Sequence, residues 1–338
     1  MNKIIKEMDV PCIVYASDNR FAEILGVSLV SLFECSRDVV KINVCILDSG
    51  ISNKNKLKIK QVCDTYQRQY PVFIPAKNIS KELGISVSVD RGSLSQYARL
   101  FVSSILPNKM NRVLYLDCDI LFKQSIKEIW ELDLQEKTVG VLMDALSKYY
   151  RDNINLEPND IMFNSGVMLI DLNKWKKKGI EQKLLEFIRN KKGKIQQGDQ
   201  GALNSVLSHD VFCFSPRFNS ITIFFDFTYS EMMTYRQPPK FYSQNEVEDA
   251  KMHPVIVHFT TSIFSKRPWI IGCQHRYVND WLECKMKSPW KDVPLWKDNQ
   301  SILKRGIMKV LDKLPRRVTI LIASIMQVYG RPLVNRIK

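Results

Sequence analysis

No apolar run in this chain of 338 residues is long enough to cross a bilayer, which takes about 20 residues in a helix. The patch Cys12 to Ala16 is too short, and so is the eleven-residue stretch Val318 to Val328. Met1 to Val10 is polar and charged, so the expectation is a protein made without a secretory leader. A Gly-rich dinucleotide fingerprint and a phosphate loop are also missing, which disfavours classical NAD or P-loop ATP chemistry. The eight cysteines (12, 35, 45, 63, 118, 213, 273, 284) lack paired metal-ligand spacing, and several lie in apolar runs. They read as reduced core thiols of a cytosolic protein. No nucleic-acid module accompanies the basic charge, so nucleic acid is not an expected partner.

Acids are scarcest in the last 38 residues. There, nine Lys or Arg (304, 305, 309, 313, 316, 317, 331, 336, 338) face one acid, Asp312, so this segment carries +8 of the net +15. Ile302, Leu303, Ile307, Met308, Val310, Leu311 and Leu314 recur among these charges at near-helical spacing. A basic amphipathic helix followed by a short apolar segment suits the headgroup region of an anionic membrane. The other reading is a helical pair packed on the core with a basic outer face.

What is present, with 45% hydrophobic residues, suffices for a large core. Through about residue 215, short β-branched runs alternate with amphipathic segments, the pattern of a mainly parallel sheet covered by helices. Strands are expected at Cys12 to Ala16, Ile42 to Leu47, Val72 to Ile74, Arg112 to Leu116, Val139 to Met143 and Gly166 to Asp171. Helices are expected at Phe21 to Cys35, Asn53 to Tyr70, Ser93 (as N-cap) to Leu106, Lys174 to Arg189 and Asp199 to Leu207.

Within this pattern, Arg112-Val-Leu-Tyr-Leu-Asp-Cys-Asp-Ile-Leu-Phe122 places two carboxylates, one residue apart, in an apolar strand context. Burying both requires a cation. Hard carboxylate oxygens suit magnesium or manganese, which commonly bridge to phosphate oxygens. Asp117 would close the central strand, at the carboxyl edge where open α/β sheets bind ligands.

Further segments line up in order: Ala16-Ser-Asp-Asn19, Tyr97-Ala-Arg99, Asp117-Cys-Asp119, Asp144, Phe163-Asn-Ser-Gly-Val167, Gly198-Asp-Gln200 and His258-Phe259, with Pro268-Trp269 beyond. This set, spanning about residues 10 to 270, resembles the retaining glycosyltransferases of family 8. The resemblance implies an α/β fold of the GT-A type: a Rossmann-like mixed sheet with helices on both faces, over residues 1–272. A C-terminal helical region, 273–338, would follow, its tail 301–338 meeting the membrane. It implies a UDP-hexose donor (galactose or glucose), a glycan acceptor and manganese, with magnesium possible. Asp117, Asp119 and His258 would hold the metal. Ala16, Asp18, Asn19, Arg99, Cys118, Asn164 and Lys266 would join them around the UDP-sugar, and Gln200, Asp144 and Asp199 would serve catalysis.

The sequence departs from the family pattern in places. Ser17 stands where an acid often binds the uracil, and Thr261 replaces a glycine after the histidine. The following loop is longer, so Lys266 or Arg267 could grip the diphosphate; Lys266 is taken here. Trp269, Tyr277, Trp281, Trp290 and Trp296 form either core or a sugar-stacking surface. No carboxylate pair of the glycosidase kind is implied, so the expected mechanism is front-face attack by the acceptor hydroxyl, assisted by the departing diphosphate. The acceptor is expected to be lipid-linked or protein-linked, at the cytoplasmic face of the plasma membrane, in surface polysaccharide or glycoprotein assembly. The alternatives are a catalytically inert, polyanion-binding scaffold and a magnesium-dependent phosphatase. For the latter, Ile120-Leu-Phe122 is the wrong continuation after Asp-x-Asp.

Overall fold

Short apolar, β-branched runs become strands here because each is bounded by turn residues and too brief for a buried helix. The structure is a computed structural model and describes residues 10–88, 93–299, 306, 311 and 313–337. Its ten strands are β1 (Cys12–Ser17), β2 (Asn43–Asp48), β3 (Val72–Pro75), β4 (Arg112–Leu116), β5 (Ile120–Phe122), β6 (Val139–Met143), β7 (Phe163–Asp171), β8 (Val211–Cys213), β9 (Ser220–Ile221) and β10 (Ile256–His258).

Seven strands form the main sheet, in the order β3-β2-β1-β4-β7-β6-β8. β1, β2, β3 and β4 run parallel, whereas β7 is antiparallel to both β4 and β6. Because β8 runs parallel to β6, the sheet is mainly parallel, as expected, and among the described strands it is mixed through β7 alone. From β1 the chain moves outward to β2 and β3, then returns on the other side as β4. The reversal opens a crevice at the carboxyl ends of β1 and β4, the place where α/β sheets bind ligands.

A second sheet, β5-β10-β9, sits beside the crevice. Ile120 of β5 pairs with His258 of β10, so Asp119 is held next to the histidine although 139 positions separate them. The two sheets meet at Asp117-Cys118-Asp119: the Asp117 amide donates to Gly166 O of β7 at 2.7 Å, and the Phe259 amide to Asp119 O at 2.9 Å.

Four expected elements form differently. The helix that begins at Asn53 ends at Thr65 rather than Tyr70, with Gln67 beyond it at φ +51°. The helix expected over Lys174 to Arg189 is two helices, Leu172–Lys177 and Ile180–Asn190, because Gly179 between them has φ +61°, which a helix interior forbids. Ser93 does cap its segment, accepting from the Ser95 amide at 3.2 Å, but Leu94–Phe101 winds as a 3₁₀ helix before an α-helical turn, Val102–Ile105. Phe163 to Ser165, outside the strand expected over Gly166 to Asp171, belongs to β7. Asn204 grips both backbone groups of Phe163, and a register shift between Val141 and Leu142 absorbs the irregularity.

The helix Ala22–Cys35 is buried on nearly all sides and anchors the C-terminal region. A Cβ at Gly26 would lie 2.3 Å from the Trp290 ring, so glycine is what lets that tryptophan pack. Glu23 and Lys285 form a buried ion pair between these elements, and Lys285 also donates to Trp290 O at 2.8 Å. Trp269, Trp281 and Trp290 are buried; they are core. Beyond them, Arg316–Ile325, a π-helical turn Met326–Gly330 and Arg331–Ile337 run on continuously. Most of the basic amphipathic segment expected over residues 302–314 lies outside the described residues.

Candidate active site

A cavity of about 500 Å³ opens at the crevice. Of the residues expected around the donor, all but Asn19 and Lys266 line it. Asn19 instead accepts from the Ser52 amide and the Asn55 side chain at 3.0 and 2.9 Å. Lys266 pairs with Asp298 at 2.9 Å, while its neighbour Arg267 lines the cavity.

Asp117, Asp119 and His258 bring one ligand atom each to within 4.8 Å of one another. His258 Nε2 lies 3.3 Å from Asp119 and 3.9 Å from Asp117. Hydrogen bonding fixes which ring nitrogen is free. Asn164 Oδ1 accepts from the Gly166 amide at 3.0 Å, so it must be the oxygen, and Asn219 Nδ2 donates to that same oxygen at 3.0 Å. Asn219 therefore turns its own oxygen to His258 Nδ1, at 3.0 Å. Nδ1 is thus the donor to Asn219, and Nε2 is the nitrogen turned to the two carboxylates, the orientation a metal ligand needs. Gly166 makes the close approach possible. A Cβ there would sit 2.2 Å from His258 Cε1 and 2.9 Å from Asp117 Oδ2.

Arg99 organises the neighbouring acids. Its Nη2 meets Asp117 at 2.6 Å, its Nε lies 2.8 Å from Asp199, and its Nη1 donates to Ser165 O at 2.6 Å. Burial works against its charge, but Asp117 and Asp199 hold its pKa above the ordinary arginine range. For Asp199, burial wins against Arg99 and lifts the carboxyl to about 6. For Asp119, burial loses to Arg267, 3.3 Å away, and to His258, and the carboxyl falls to about 2. Asp144 is raised by burial, with Arg236 and Gln200 opposing. Gln200 is tethered at both ends, donating to Asp144 at 3.4 Å and accepting from the Ser165 amide at 3.3 Å.

On the nucleotide side, Asp18 forms an Asx turn, accepting from the amides of Arg20 and Phe21 at 3.0 and 3.1 Å. Cys118 Sγ donates to Ala16 O at 3.2 Å and ties the ends of β4 and β1 together.

Sequence reasoning missed Asn219, Gln96, Tyr235, Arg236, Gln327 and Arg331. Asn219 left one trace: Phe218-Asn-Ser220 repeats Phe163-Asn-Ser165, and the two asparagines bond each other. The other five line the cavity; Gln96 directly precedes Tyr97-Ala-Arg99, whereas Tyr235, Arg236, Gln327 and Arg331 lie on elements that carry no motif.

The family description "Glycosyl transferase family 8" matches residues 12–270. The chain is 25% identical over 285 residues to General stress protein A of Bacillus subtilis (strain 168), covering 83% of this chain and 95% of that protein. It is 24% identical over 284 residues to lipopolysaccharide 1,2-glucosyltransferase of Escherichia coli (strain K12), covering 83% of this chain and 79% of that protein. Among solved structures, the galactosyltransferase LgtC in complex with donor and acceptor sugar analogues superposes with a TM-score of 0.69 at 24% identity. That match covers 87% of this chain and 99% of LgtC, and it speaks for the fold. With the ordered motifs gathered around one cavity, the chain belongs to glycosyl transferase family 8: it is a retaining glycosyltransferase that moves a hexose from a UDP-sugar to a glycan acceptor.

Proposed function

We propose that the transfer is manganese-dependent, with the ion held by Asp117, Asp119 and His258, and that the acceptor is a lipid-linked glycan at the cytoplasmic face of the plasma membrane. The observation that carries the metal reading is the pair of carboxylates facing Nε2 of His258, whose Nδ1 is held by Asn219. Mixed oxygen and imidazole donors suit manganese better than magnesium. When bound, the ion supplies Lewis-acid neutralisation of the leaving diphosphate.

The chain's own residues do the rest. Arg267, paired with Asp119 at 3.3 Å, is placed to turn to the diphosphate once the carboxylate has another partner. Asp144, Asp199 and Asn164 offer buried polar groups to sugar hydroxyls. The Asn164 oxygen is committed to Gly166 and Asn219, so its amide nitrogen is the end left for a sugar oxygen. Gln200, fixed through Asp144 and Ser165, presents an amide rather than a carboxylate, which supports front-face attack over a covalent double displacement.

The C-terminal helix supports the membrane reading. Ile320, Ala323 and Val328 pack inward, whereas Leu321, Ile325, Met326, Tyr329, Leu333 and Val334 form an outward apolar row along the same helix. Arg317 and Arg336 flank that row, while Arg316 is paired with Glu231 and Arg331 lines the cavity. An amphipathic helix with basic flanks lies well at an anionic surface. None of the helices among the described residues is long and apolar enough to cross the bilayer.

The test is release of UDP from a panel of UDP-sugars with manganese, with and without chelator, against an Asp117→Ala/Asp119→Ala control. Manganese-dependent release from one donor, absent in the control, is the expected result. Release unchanged by chelator would overturn the metal assignment.

A further inference from the structure

The cavity holds four arginines, Arg99, Arg236, Arg267 and Arg331. Arg99 is paired with Asp117 and Asp199, and Arg267 with Asp119. Arg236 differs. It ends the helix Tyr229–Arg236, its guanidinium stacks over the Tyr235 ring at 4.9 Å, and its buried Nε has no hydrogen-bond partner. Among the described residues no carboxylate comes within ion-pair distance of it, although Asp144 lies within the reach of its field. An arginine with a buried, unsatisfied donor is costly unless a ligand completes it.

The surroundings say which ligand. Arg236 lines the cavity together with Tyr235 and with Gln327 and Arg331, and the helix it ends packs against the π-helical turn that carries Gln327; it is not one of the Asp117, Asp119 and His258 cluster that serves the diphosphate. Its fork of donors matches phosphate or carboxylate oxygens, and the stacked Tyr235 ring holds the fork in place. We propose that Arg236, with Arg331 lining the same cavity, forms an anion subsite that reads a phosphate or carboxylate carried by the glycan acceptor close to the accepting hydroxyl. The proposal rests on the transferase reading of this cavity. It narrows the acceptor from any glycan to an anionic one.

The experiment compares an octyl glycoside with the same glycoside bearing a phosphate monoester, in wild type, Arg236→Gln and Arg236→Lys. The readout is the ratio of kcat/KM for the two acceptors, which cancels any change in donor handling. Wild type favours the phosphorylated acceptor about tenfold or more, the scale of a charge-assisted hydrogen bond. In Arg236→Gln the ratio falls to near one; Arg236→Lys keeps part of it. A ratio near one in wild type, or one unchanged in Arg236→Gln, overturns the proposal. A further arm adds phosphatidylglycerol vesicles to the neutral acceptor. Arg236-dependent activation there would assign the anion to a lipid headgroup and overturn the acceptor-borne form. Should wild type release no UDP from any donor, the transferase reading fails by itself. Calorimetric binding of the phosphorylated glycoside then still decides the subsite: a tenfold weaker affinity in Arg236→Gln upholds it, and equal affinity overturns it.

Discussion

On the strand-built wall of the cavity, where the ends of β4, β7 and β10 are backed by the 3₁₀ helix that carries Arg99 and the helix that Asp199 opens, Arg99 is tied to Asp117 and Asp199, Arg267 to Asp119, and His258 to Asn219. On the helix-built wall, Arg236 has only the face of Tyr235. The first wall is pre-organised for a donor whose chemistry is fixed by the reaction. The second keeps a binding capacity open, as a surface meeting a variable acceptor does. Rigid elements around the strand ends carry the invariant step, and the helix ending at Arg236, with the C-terminal helix beside it, carries the choice of partner.

The sharpest way to break the strand-built wall is to remove its paired carboxylates. Asp117→Ala/Asp119→Ala should lower kcat/KM by about a thousandfold or more, measured as UDP release, since Lewis-acid neutralisation contributes several kcal/mol. Gly166→Ala should cost about a hundredfold, because a methyl group 2.2 Å from His258 Cε1 must displace that ligand. Asn219→Ala leaves the ligands in place but frees the ring tautomer. It should weaken manganese affinity about 10- to 100-fold by calorimetry, with little change in fold by circular dichroism.

Smaller effects follow from the pairs behind the metal cluster. Arg99→Met strands two carboxylates and should destabilise the protein by about 3 kcal/mol in denaturant unfolding, the low end for a broken buried pair because Asp117 is partly exposed. Asp199 gives a pH signature. Its pKa is raised from 3.8 to about 6, so between those values the folded chain binds more protons than the unfolded one. Its contribution to stability therefore falls as pH rises through that window. In activity the sign reverses: protonation below about pH 6 removes the charge facing Arg99, and kcat should decline there, with the inflection missing in Asp199→Asn. The smallest expected change concerns the outer helix face. Leu321→Glu/Ile325→Glu should reduce partition onto anionic vesicles several-fold while leaving UDP release from soluble acceptors unchanged.

The two walls also differ in how much of them the sequence discloses. Asp117 and Asp119 stand out because two acids one residue apart contradict an apolar strand pattern, and a buried charge needs a reason. Arg99, Asp144, Asn164, Asp199, Gln200 and His258 were legible only as an ordered set, since each alone is also what a cap, turn or ion pair would supply. The α/β class and the mainly parallel sheet were legible from the alternation of strands and helices, but the reversed β7 was not, because strand direction leaves no local trace in composition. Arg236 and Arg331 were invisible for a related reason. A helical arginine in a basic chain looks like a solvated surface charge until the fold shows which way its element faces. Lys266 and Arg267 show the finest limit: adjacent cations in one loop are equivalent in sequence, and only the backbone path decides that Arg267 lines the cavity while Lys266 meets Asp298.

The central claim is that the strand-built wall is a divalent metal site set by the His258 tautomer. Electron paramagnetic resonance of free manganese, titrated into the protein with UDP, reads this directly. Wild type should remove one equivalent of ion per chain from the free signal, His258→Ala should bind far more weakly, and Asn219→Ala should fall between them. Identical titrations for wild type and the Asp117→Ala/Asp119→Ala double variant would contradict the assignment.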